Sequence, residues 1–411
     1  MDPDGYWLTG ADVFDATGTA SRRADVHVVG ERIAAVEPVD PASRGVDRRA
    51  PTIDVTGGTL LPGFIDAHAH VGILRLHDQG RMAPAVQAGA VFANLRSALD
   101  QGFTTLRDLG GVDGGLVEAI ERGLVAGPRL LPSGQILSQT GGHGDHRGRW
   151  SPDAENPPTG CGISLPMRLV DGPDAARRAA REQFHRGATQ LKVFATGGVL
   201  SDGDPLDAPQ FSLAELRAVV EVAEDRGSYV TAHAHTSRGL LRALDAGVRC
   251  IEHASDIDEA VAARIAECGA SVVATLTVHE VMRAEPGWDA ASARLHETTL
   301  ASLAMLDRAG VRLGCGADLI GERQDRRAWE PFLHAELFGA AQALQTATRV
   351  NAEILGIDDL VGTVEPGKLA DLVVLDGDPL RYPASLRDIP PRLVVQSGRV
   401  VRRSSSGPPV R

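Results

Sequence analysis

Short apolar runs alternate with amphipathic stretches through most of this 411-residue chain. The runs have the length and β-branched content of buried strands, and the stretches between them have the spacing of surface helices. Several predicted helices end in glycine just before the next run, as helices commonly do. The predicted strands are residues 59–66, 104–108, 129–133, 190–195, 229–232, 249–252, 271–275 and 312–315.

Eight strands that alternate with helices favour an α/β fold, and specifically a closed (β/α)8 TIM barrel. An open, doubly wound sheet remains the alternative, because the number of strands does not prove closure. Residues 1–60 and the segment after 368 instead show short strands separated by glycine-containing turns. We therefore expect a small β-sandwich domain built from residues 1–61 and 363–411, and a barrel domain at 62–362.

One helix start is especially clear. Residues 212–215 read SLAE, so Ser212 and Glu215 have the spacing of a capping box.

Composition limits the kinds of partner. The chain has 42 basic and 54 acidic residues, and the net charge of −12 argues against a nucleic-acid partner. No uncharged stretch approaches the ~20 apolar residues that a membrane span requires. The first residues lack the apolar core of a signal peptide, so we expect a cytoplasmic protein. We expect a small-molecule substrate, no membrane partner and a homo-oligomer.

Side chains that can bind metal lie at or near the ends of five predicted strands. They are His68, His70, Lys192, His233, His253 and Asp318. In a parallel barrel these strand ends converge on one mouth, where active sites lie. The spacing of His68 and His70 places both rings on one side of a strand. That pair alone would also fit a structural histidine pair, but the full set predicts a metal site.

Lys192 has two interpretations. A free ammonium would be repelled by nearby cations, and desolvation would lower its pKa. A neutral lysine amine can add CO2 to form a carbamate, an anionic ligand able to bridge two metals. The alternative is a lysine paired with a carboxylate at the barrel rim.

These motifs closely resemble those of the amidohydrolase superfamily. The motifs are GFIDAHAH, LKVFATGG, VTAHAH, IEHA and GCGADL, and the end segment GTVEPGKLADLVVLDGDPL is similar as well. Within the superfamily, SQTGGHGD and KVFATGGVLSDGD resemble the imidazolonepropionase-like and prolidase-like subgroup. The resemblance covers nearly the whole chain.

The resemblance implies two divalent metal ions. His68, His70 and Asp318 would hold the more buried ion. Zinc fits a set of histidine and carboxylate ligands, although cobalt or manganese would fit too. Asp318 would also act in catalysis: it would hold the attacking water, take its proton and pass it to the leaving nitrogen.

His233 and His253 would hold the second ion, and the carbamate on Lys192 would bridge the two. The resemblance strengthens the carbamate interpretation of Lys192, which we also regard as a catalytic residue. One-metal relatives that act on imidazole substrates generally lack this lysine, so its presence favours the peptidase-like branch.

Two more histidines are candidates for substrate binding. His143 lies in a glycine-rich loop, TGGHGDHRG, and His235 shares a strand face with His233. Each could instead be a surface histidine or one that supports the site from outside. His235 could also replace His233 as a metal ligand. We interpret the remaining candidates as structural or solvent-exposed: His77, His146, His279, His296 and His334.

The expected activity is metal-dependent hydrolysis of an amide bond in a dipeptide or an N-acyl amino acid. One alternative is a cyclic substrate, namely an imidazolone, a hydantoin or a lactone-type ring. A more distant alternative is an inactive barrel that serves as a subunit or scaffold, but no ligand is missing from the set.

Overall fold

The computed structural model describes residues 5–39, 50–75, 82–147, 162–165, 167–199, 204–284, 290–321 and 324–404. The chain divides into two compact units. Unit 1 comprises Met1–Asp66, Arg96–Thr105 and Asp325–Arg411, and unit 2 comprises Ala67–Leu95 and Leu106–Gln324. In the described parts of the chain, no helix combines the length and the apolar character that a membrane crossing demands.

Strands and helices follow one another along both units. The strands are β1 (Tyr6–Val13), β2 (Arg22–Val29), β3 (Arg32–Pro38), β4 (Thr52–Asp54), β5 (Gly58–Pro62), β6 (Phe64–Ala69), β7 (Phe103–Asp108), β8 (Arg129–Pro132), β9 (Leu137–Ser138), β10 (Arg168–Leu169), β11 (Leu191–Phe194), β12 (Val230–Thr236), β13 (Cys250–Asp256), β14 (Ser271–Ala274), β15 (Arg312–Cys315), β16 (Leu372–Asp376), β17 (Leu393–Gln396) and β18 (Arg399–Arg403). The α-helices are α1 (Pro84–Asp100), α2 (Gly114–Glu121), α3 (Pro173–His185), α4 (Leu213–Glu224), α5 (Ser237–Ala246), α6 (Glu259–Glu267), α7 (Thr277–Arg283), α8 (Ala290–Arg308), α9 (Trp329–Phe338), α10 (Ala340–Gln345), α11 (Asn351–Leu355) and α12 (Ser385–Asp388).

Strands from both ends of the chain share one sheet in unit 1. Its order is β18-β17-β16-β5-β1-β2-β3, with β4 paired to β1. β16 runs antiparallel to β5, while β5 runs parallel to β1. Buried side chains from the N-terminal and C-terminal strands form a single apolar cluster, for example Leu8, Leu60, Val374 and Val395.

The remaining strands form two further sheets. One has the order β10-β9-β11-β12-β13-β14-β15, and its paired strands are parallel. The other has the order β6-β7-β8. Helices α3 to α8 alternate with the strands of the first of these sheets. Seven of the eight predicted strands coincide with observed strands within a few residues.

The predicted first strand, residues 59–66, is in fact two strands. β5 ends at Pro62, and β6 begins at Phe64. A Cβ on Gly63 would lie 2.1 Å from the Thr104 Oγ1, so only glycine fits there. The Gly63 N–H donates to the Asp371 carbonyl at 2.8 Å, at the point where the chain passes from one sheet to the other. His68 consequently lies inside β6 rather than beyond its end.

The predicted capping box at the start of α4 is confirmed. The Glu215 N–H donates to the Ser212 Oγ at 3.3 Å, and the Ser212 N–H donates to the Glu215 Oε2 at 2.7 Å. Both donors would otherwise be unpaired in the first turn. The helix then buries Leu216 and Val219, so the cap holds an element that contributes to the core of unit 2.

We expect Ser212→Ala to lower the free energy of unfolding by about 1 kcal/mol, because it removes the acceptor for the Glu215 N–H. Ser212→Thr is the matched control, since threonine keeps the hydroxyl that accepts from the Glu215 N–H and donates to its carboxylate, and it should remain near wild type. Denaturant unfolding measures both, and hydrogen exchange of the α4 amides reports the local effect. An alanine variant as stable as the threonine variant would contradict this account.

Candidate active site

The predicted site residues all line one cavity in unit 2. The cavity encloses about 770 Å³, including its mouth. The predicted residues on its wall are His68, His70, His143, Lys192, His233, His235, His253 and Asp318. The sequence therefore identified residues that are close together in space, although they are separated by up to 250 positions in the chain.

His68, His70 and Asp318 form the first group. The His68 Nε2 and His70 Nε2 are 3.2 Å apart. The Asp318 Oδ1 lies 3.4 Å from the His68 Nε2 and 3.3 Å from the His70 Nε2. Three ligand atoms of the types that zinc prefers thus converge on one point.

His233, His235 and His253 form the second group. Each offers a ring nitrogen within 4.8 Å of the others. The His253 ring is 4.7 Å from the rings of both other members, centroid to centroid. The structure therefore places His235 as close to this centre as His233, the alternative that the sequence had left open.

Lys192 faces both groups. It lies on β11 with 2% of its surface exposed, and its charge acts on the histidines of each group. Burial lowers the pKa of its ammonium to about 8, although the carboxylates of Glu252 and Asp318 oppose this shift. A larger fraction of this amine is neutral near pH 7 than in an exposed lysine. Neutral amine is the form that adds CO2.

Four of the histidines have the Nδ1 atom engaged away from the centre. The pairs are His68 with Glu252 (2.7 Å), His70 with the Gly110 carbonyl (3.0 Å), His235 with Ser255 (2.9 Å) and His253 with Thr275 (2.8 Å). Such contacts fix the tautomer and leave the Nε2 for a ligand. His233 differs from these four, because its Nε2 rather than its Nδ1 faces a protein oxygen, the Gly197 carbonyl at 3.2 Å.

Protonation favours the same use of the His68, His235 and His253 rings, whereas Asp318 outweighs burial and raises the pKa of His70. Burial lowers the pKa of His68 to about 4 and that of His235 to about 3, so both are neutral near pH 7. The pKa of His253 is also lowered, first by burial and then by the histidines around it. A neutral imidazole has a lone pair available for a metal ion.

Glu252 and Arg107 form a buried ion pair beneath the first group, and sequence reasoning missed both. The Arg107 Nη2 donates to the Glu252 Oε1 at 2.7 Å, while the other carboxylate oxygen faces His68. Arg107 also donates from its Nε to the Ala67 carbonyl at 2.6 Å. Although burial raises the pKa of Glu252, Arg107 and His68 lower it more strongly, so the carboxyl is ionised.

Backbone conformation explains how the consecutive residues Glu252 and His253 both reach the candidate site. In a regular strand Glu252 and His253 would face opposite sides. His253 instead has φ 75°, a left-handed value that is uncommon for a non-glycine residue. Asp318 has φ 50°. Strained residues of this kind cluster at functional sites.

His143 is held by two side chains and one close glycine. Its N–H donates to the Gln210 Oε1 at 2.8 Å, and its Nδ1 lies 3.4 Å from the Asp204 Oδ2. Gln210 also donates to Asp204 at 3.1 Å. A Cβ on Gly198 would lie 2.2 Å from the His143 ring, so the ring occupies space that only glycine leaves. The ring then stacks on His233 at 4.7 Å.

His146 and His279, which the sequence suggested to be structural or solvent-exposed, also line the cavity. The His279 Nδ1 lies 3.3 Å from the Nδ1 of His296, which it meets from the neighbouring helix. His279 lies on α7 and His296 on α8, and no sequence motif marks either residue. His334 is buried with its Nε2 3.3 Å from Glu330, as expected of a structural histidine, and His77 lies outside the described residues.

Known proteins with a similar sequence or structure share this arrangement of the chain. Residues 59–401 match the model of the Amidohydrolase family. An ochratoxinase of Aspergillus niger is 32% identical over 340 residues, which cover 78% of this chain and 71% of the relative. A solved prolidase in complex with N-methylphosphonate-L-proline is 40% identical, with a TM-score of 0.90 over 97% of this chain and 100% of that chain. A solved Xaa-Pro dipeptidase with methionine bound in its active site is 27% identical, with a TM-score of 0.85 over 96% of this chain and 99% of that one.

These likenesses show a TIM-barrel-like α/β fold and place the chain in a family of metal-dependent enzymes. The prolidase-like subgroup suggested by the sequence motifs is consistent with the solved neighbours. Because the family match covers most of the chain and includes every residue of both histidine groups, the chain belongs to the amidohydrolase family and is a hydrolase that acts on amide bonds.

Proposed function

We propose that this chain is a binuclear metal-dependent amidohydrolase that cleaves a dipeptide or an N-acyl amino acid. The observation that carries the proposal is the pair of three-residue groups on one cavity wall, with Lys192 facing both. The two groups are adjacent, because the rings of His68 and His253 are 5.1 Å apart.

The donor chemistry of the two groups fits metal ions. His68, His70 and Asp318 would hold one ion, and His233 and His253 the other, with a carbamate on Lys192 shared between them. When bound, two such cations would supply a nucleophilic hydroxide near neutral pH and polarise the scissile carbonyl. Zinc suits these ligands.

Asp318 is positioned to move the proton. We propose that its carboxylate accepts a proton from the attacking water and passes it to the leaving nitrogen. Although burial raises the pKa of Asp318, its interactions with His68 and His70 lower it to about 2, so the carboxylate begins the reaction ionised. His143 and His235 would then bind the substrate, with Asp204 holding the His143 ring in place.

The names of the similar proteins support this substrate class. The solved prolidase binds a proline derivative whose nitrogen carries a phosphonate, and a second neighbour is an Xaa-Pro dipeptidase. Both names imply a substrate whose leaving part is an amino acid with a free carboxylate. We propose the same leaving group for this chain.

We further propose that the β6-β7-β8 sheet and the seven-stranded parallel sheet close into one (β/α)8 barrel. The Asp318 N–H donates to the His68 carbonyl at 2.8 Å, which brings the segment after β15 against β6. The eight-stranded sheet of unit 1 would form the β-sandwich, with domain limits at 1–61 plus 363–411 and at 62–362. The cytoplasmic location and the homo-oligomer also remain proposals.

We expect protein purified without chelator to contain about two divalent ions per chain, as a binuclear centre requires. Elemental analysis measures this content. Both His68→Ala and Lys192→Ala should lose metal and most activity, whereas the exposed His185→Ala should lose neither. Short-chain carboxylic acids should partly restore Lys192→Ala, because they can replace the carbamate. Full activity without metal would refute the central proposal.

We expect Glu252→Gln to reduce metal affinity by about 10–100-fold, because the amide cannot accept from both His68 and Arg107. The free energy of unfolding should also fall by roughly 3–5 kcal/mol, since Arg107 stays buried without an anion. Titration against a competing chelator measures the first effect and denaturant unfolding the second. Glu182→Gln, at a half-exposed position on α3, is the control. Unchanged affinity in Glu252→Gln would remove its assigned role.

We expect an N-acyl amino acid to be hydrolysed faster than the same compound with an amidated C-terminus. The lost charge-assisted hydrogen bond should cost the amide roughly 1.5–3 kcal/mol, or about one to two powers of ten in kcat/KM. His143→Leu should shrink this difference. Equal rates on both compounds, or activity confined to lactones, hydantoins or imidazolones, would instead indicate a cyclic substrate.

A further inference from the structure

The cavity has two apolar walls beside the histidine groups. Ile73, Ile136 and Phe194 form a buried cluster with the partly buried Met167 and Ile320, and all five line the cavity. This cluster contacts the site directly, because the Phe194 ring is 4.9 Å from that of His143. A substrate group that reaches this wall leaves water for an apolar surface.

The second wall comes from two helices. Val278 and Met282 lie on α7, and Leu295 lies on α8. Met282 is only partly buried, so this wall extends towards the mouth of the cavity. Its polar contribution is His279, whose Nδ1 already faces His296.

Negative charge is scarce on the part of the cavity wall that the structure describes. Asp318 is the one carboxylate among the described residues that line the cavity, and it already faces His68 and His70. Other described acids are near but do not line it. Glu252 contacts Arg107 and His68. Asp204 contacts His143 and Gln210, and Glu280 contacts Arg283 and His296.

We propose that the acyl half of the substrate is apolar and uncharged, so that the enzyme prefers N-acyl amino acids to dipeptides with a free α-ammonium. This inference rests on the proposed function and narrows its substrate class. Hydrolysis adds one water across the C–N bond: the acyl carbon takes the hydroxyl and the nitrogen takes the proton. The products are an apolar carboxylic acid and a free amino acid.

Electrostatics and burial both favour an uncharged acyl group. An α-ammonium in the cavity would lose its hydration, which is costly without a carboxylate partner, and the described lining residues offer only Asp318, which already faces two histidines. The metal ions of the proposed centre would also repel the α-ammonium. An apolar acyl group instead gains from each methylene that it buries, by about fourfold in binding per methylene.

The first test compares two substrates that differ only at the α-position. L-Leucyl-L-phenylalanine carries an α-ammonium, and 4-methylpentanoyl-L-phenylalanine carries hydrogen there. We expect kcat/KM for the second compound to be about 100-fold higher, as an uncompensated charge in the cavity would require. Equal values, or faster cleavage of the dipeptide, would overturn the inference.

A binding measurement can test this inference separately from the proposed function. Ketomethylene analogues of both compounds cannot be hydrolysed, and calorimetry measures their affinity for the metal-loaded enzyme. Tighter binding of the uncharged analogue supports the inference even if neither linear amide is cleaved, an outcome that would refute the proposed function alone. Equal binding overturns the inference even if both amides are cleaved.

A variant tests the cause. Met282→Glu places a carboxylate on the second wall and should raise the ratio of dipeptide to N-acyl kcat/KM by about tenfold, as one added ion pair in a partly buried site would. Met282→Gln has nearly the same shape without the charge and should leave the ratio unchanged. If the Glu and Gln variants have the same ratio, missing negative charge is not the reason for the preference.

Discussion

Glu252 is the buried anion on which the candidate site depends. One of its carboxylate oxygens accepts from Arg107, and the other faces the His68 Nδ1. Without the carboxylate, a guanidinium would be buried unpaired, which costs several kcal/mol in proteins. Without the guanidinium, the carboxyl would tend to hold a proton and would no longer orient the ring as an acceptor. The packing of the strands and the direction of a candidate ligand are therefore set by the same pair.

Much of the site could be predicted because its main residues obey strand periodicity. His68 and His70 are two apart, and so are His233 and His235, so each pair shares a strand face. Parallel strands bring their ends to one side, which joins residues that are distant in sequence. The capping box of α4 could also be predicted from the sequence, since Ser212 and Glu215 interact within one helical turn. The predicted domain limits and the assignment of individual ligands remain predictions.

The rest depended on contacts that no local pattern encodes. Glu252 precedes His253 and would face away from it in a regular strand, but the positive φ of His253 alters that alternation. Arg107 is 145 residues from Glu252, so their pairing emerges only when the strands assemble. The division of residues 59–66 was missed for a similar reason, because the close approach of Thr104 to Gly63 is a tertiary contact.

The hydrogen bonds that the histidine Nδ1 atoms make, on the side away from the proposed metal centre, have a consequence for metal binding. The Nδ1 atoms of His68, His70 and His253 are held by oxygen atoms of the protein itself. Because these contacts do not involve a metal ion, they would keep the rings oriented if an ion were removed, and metal binding would then not require the site to fold. The same polypeptide could then exchange one divalent metal for another without refolding. Under that condition, the supply of metals in the cell would decide which one the enzyme carries.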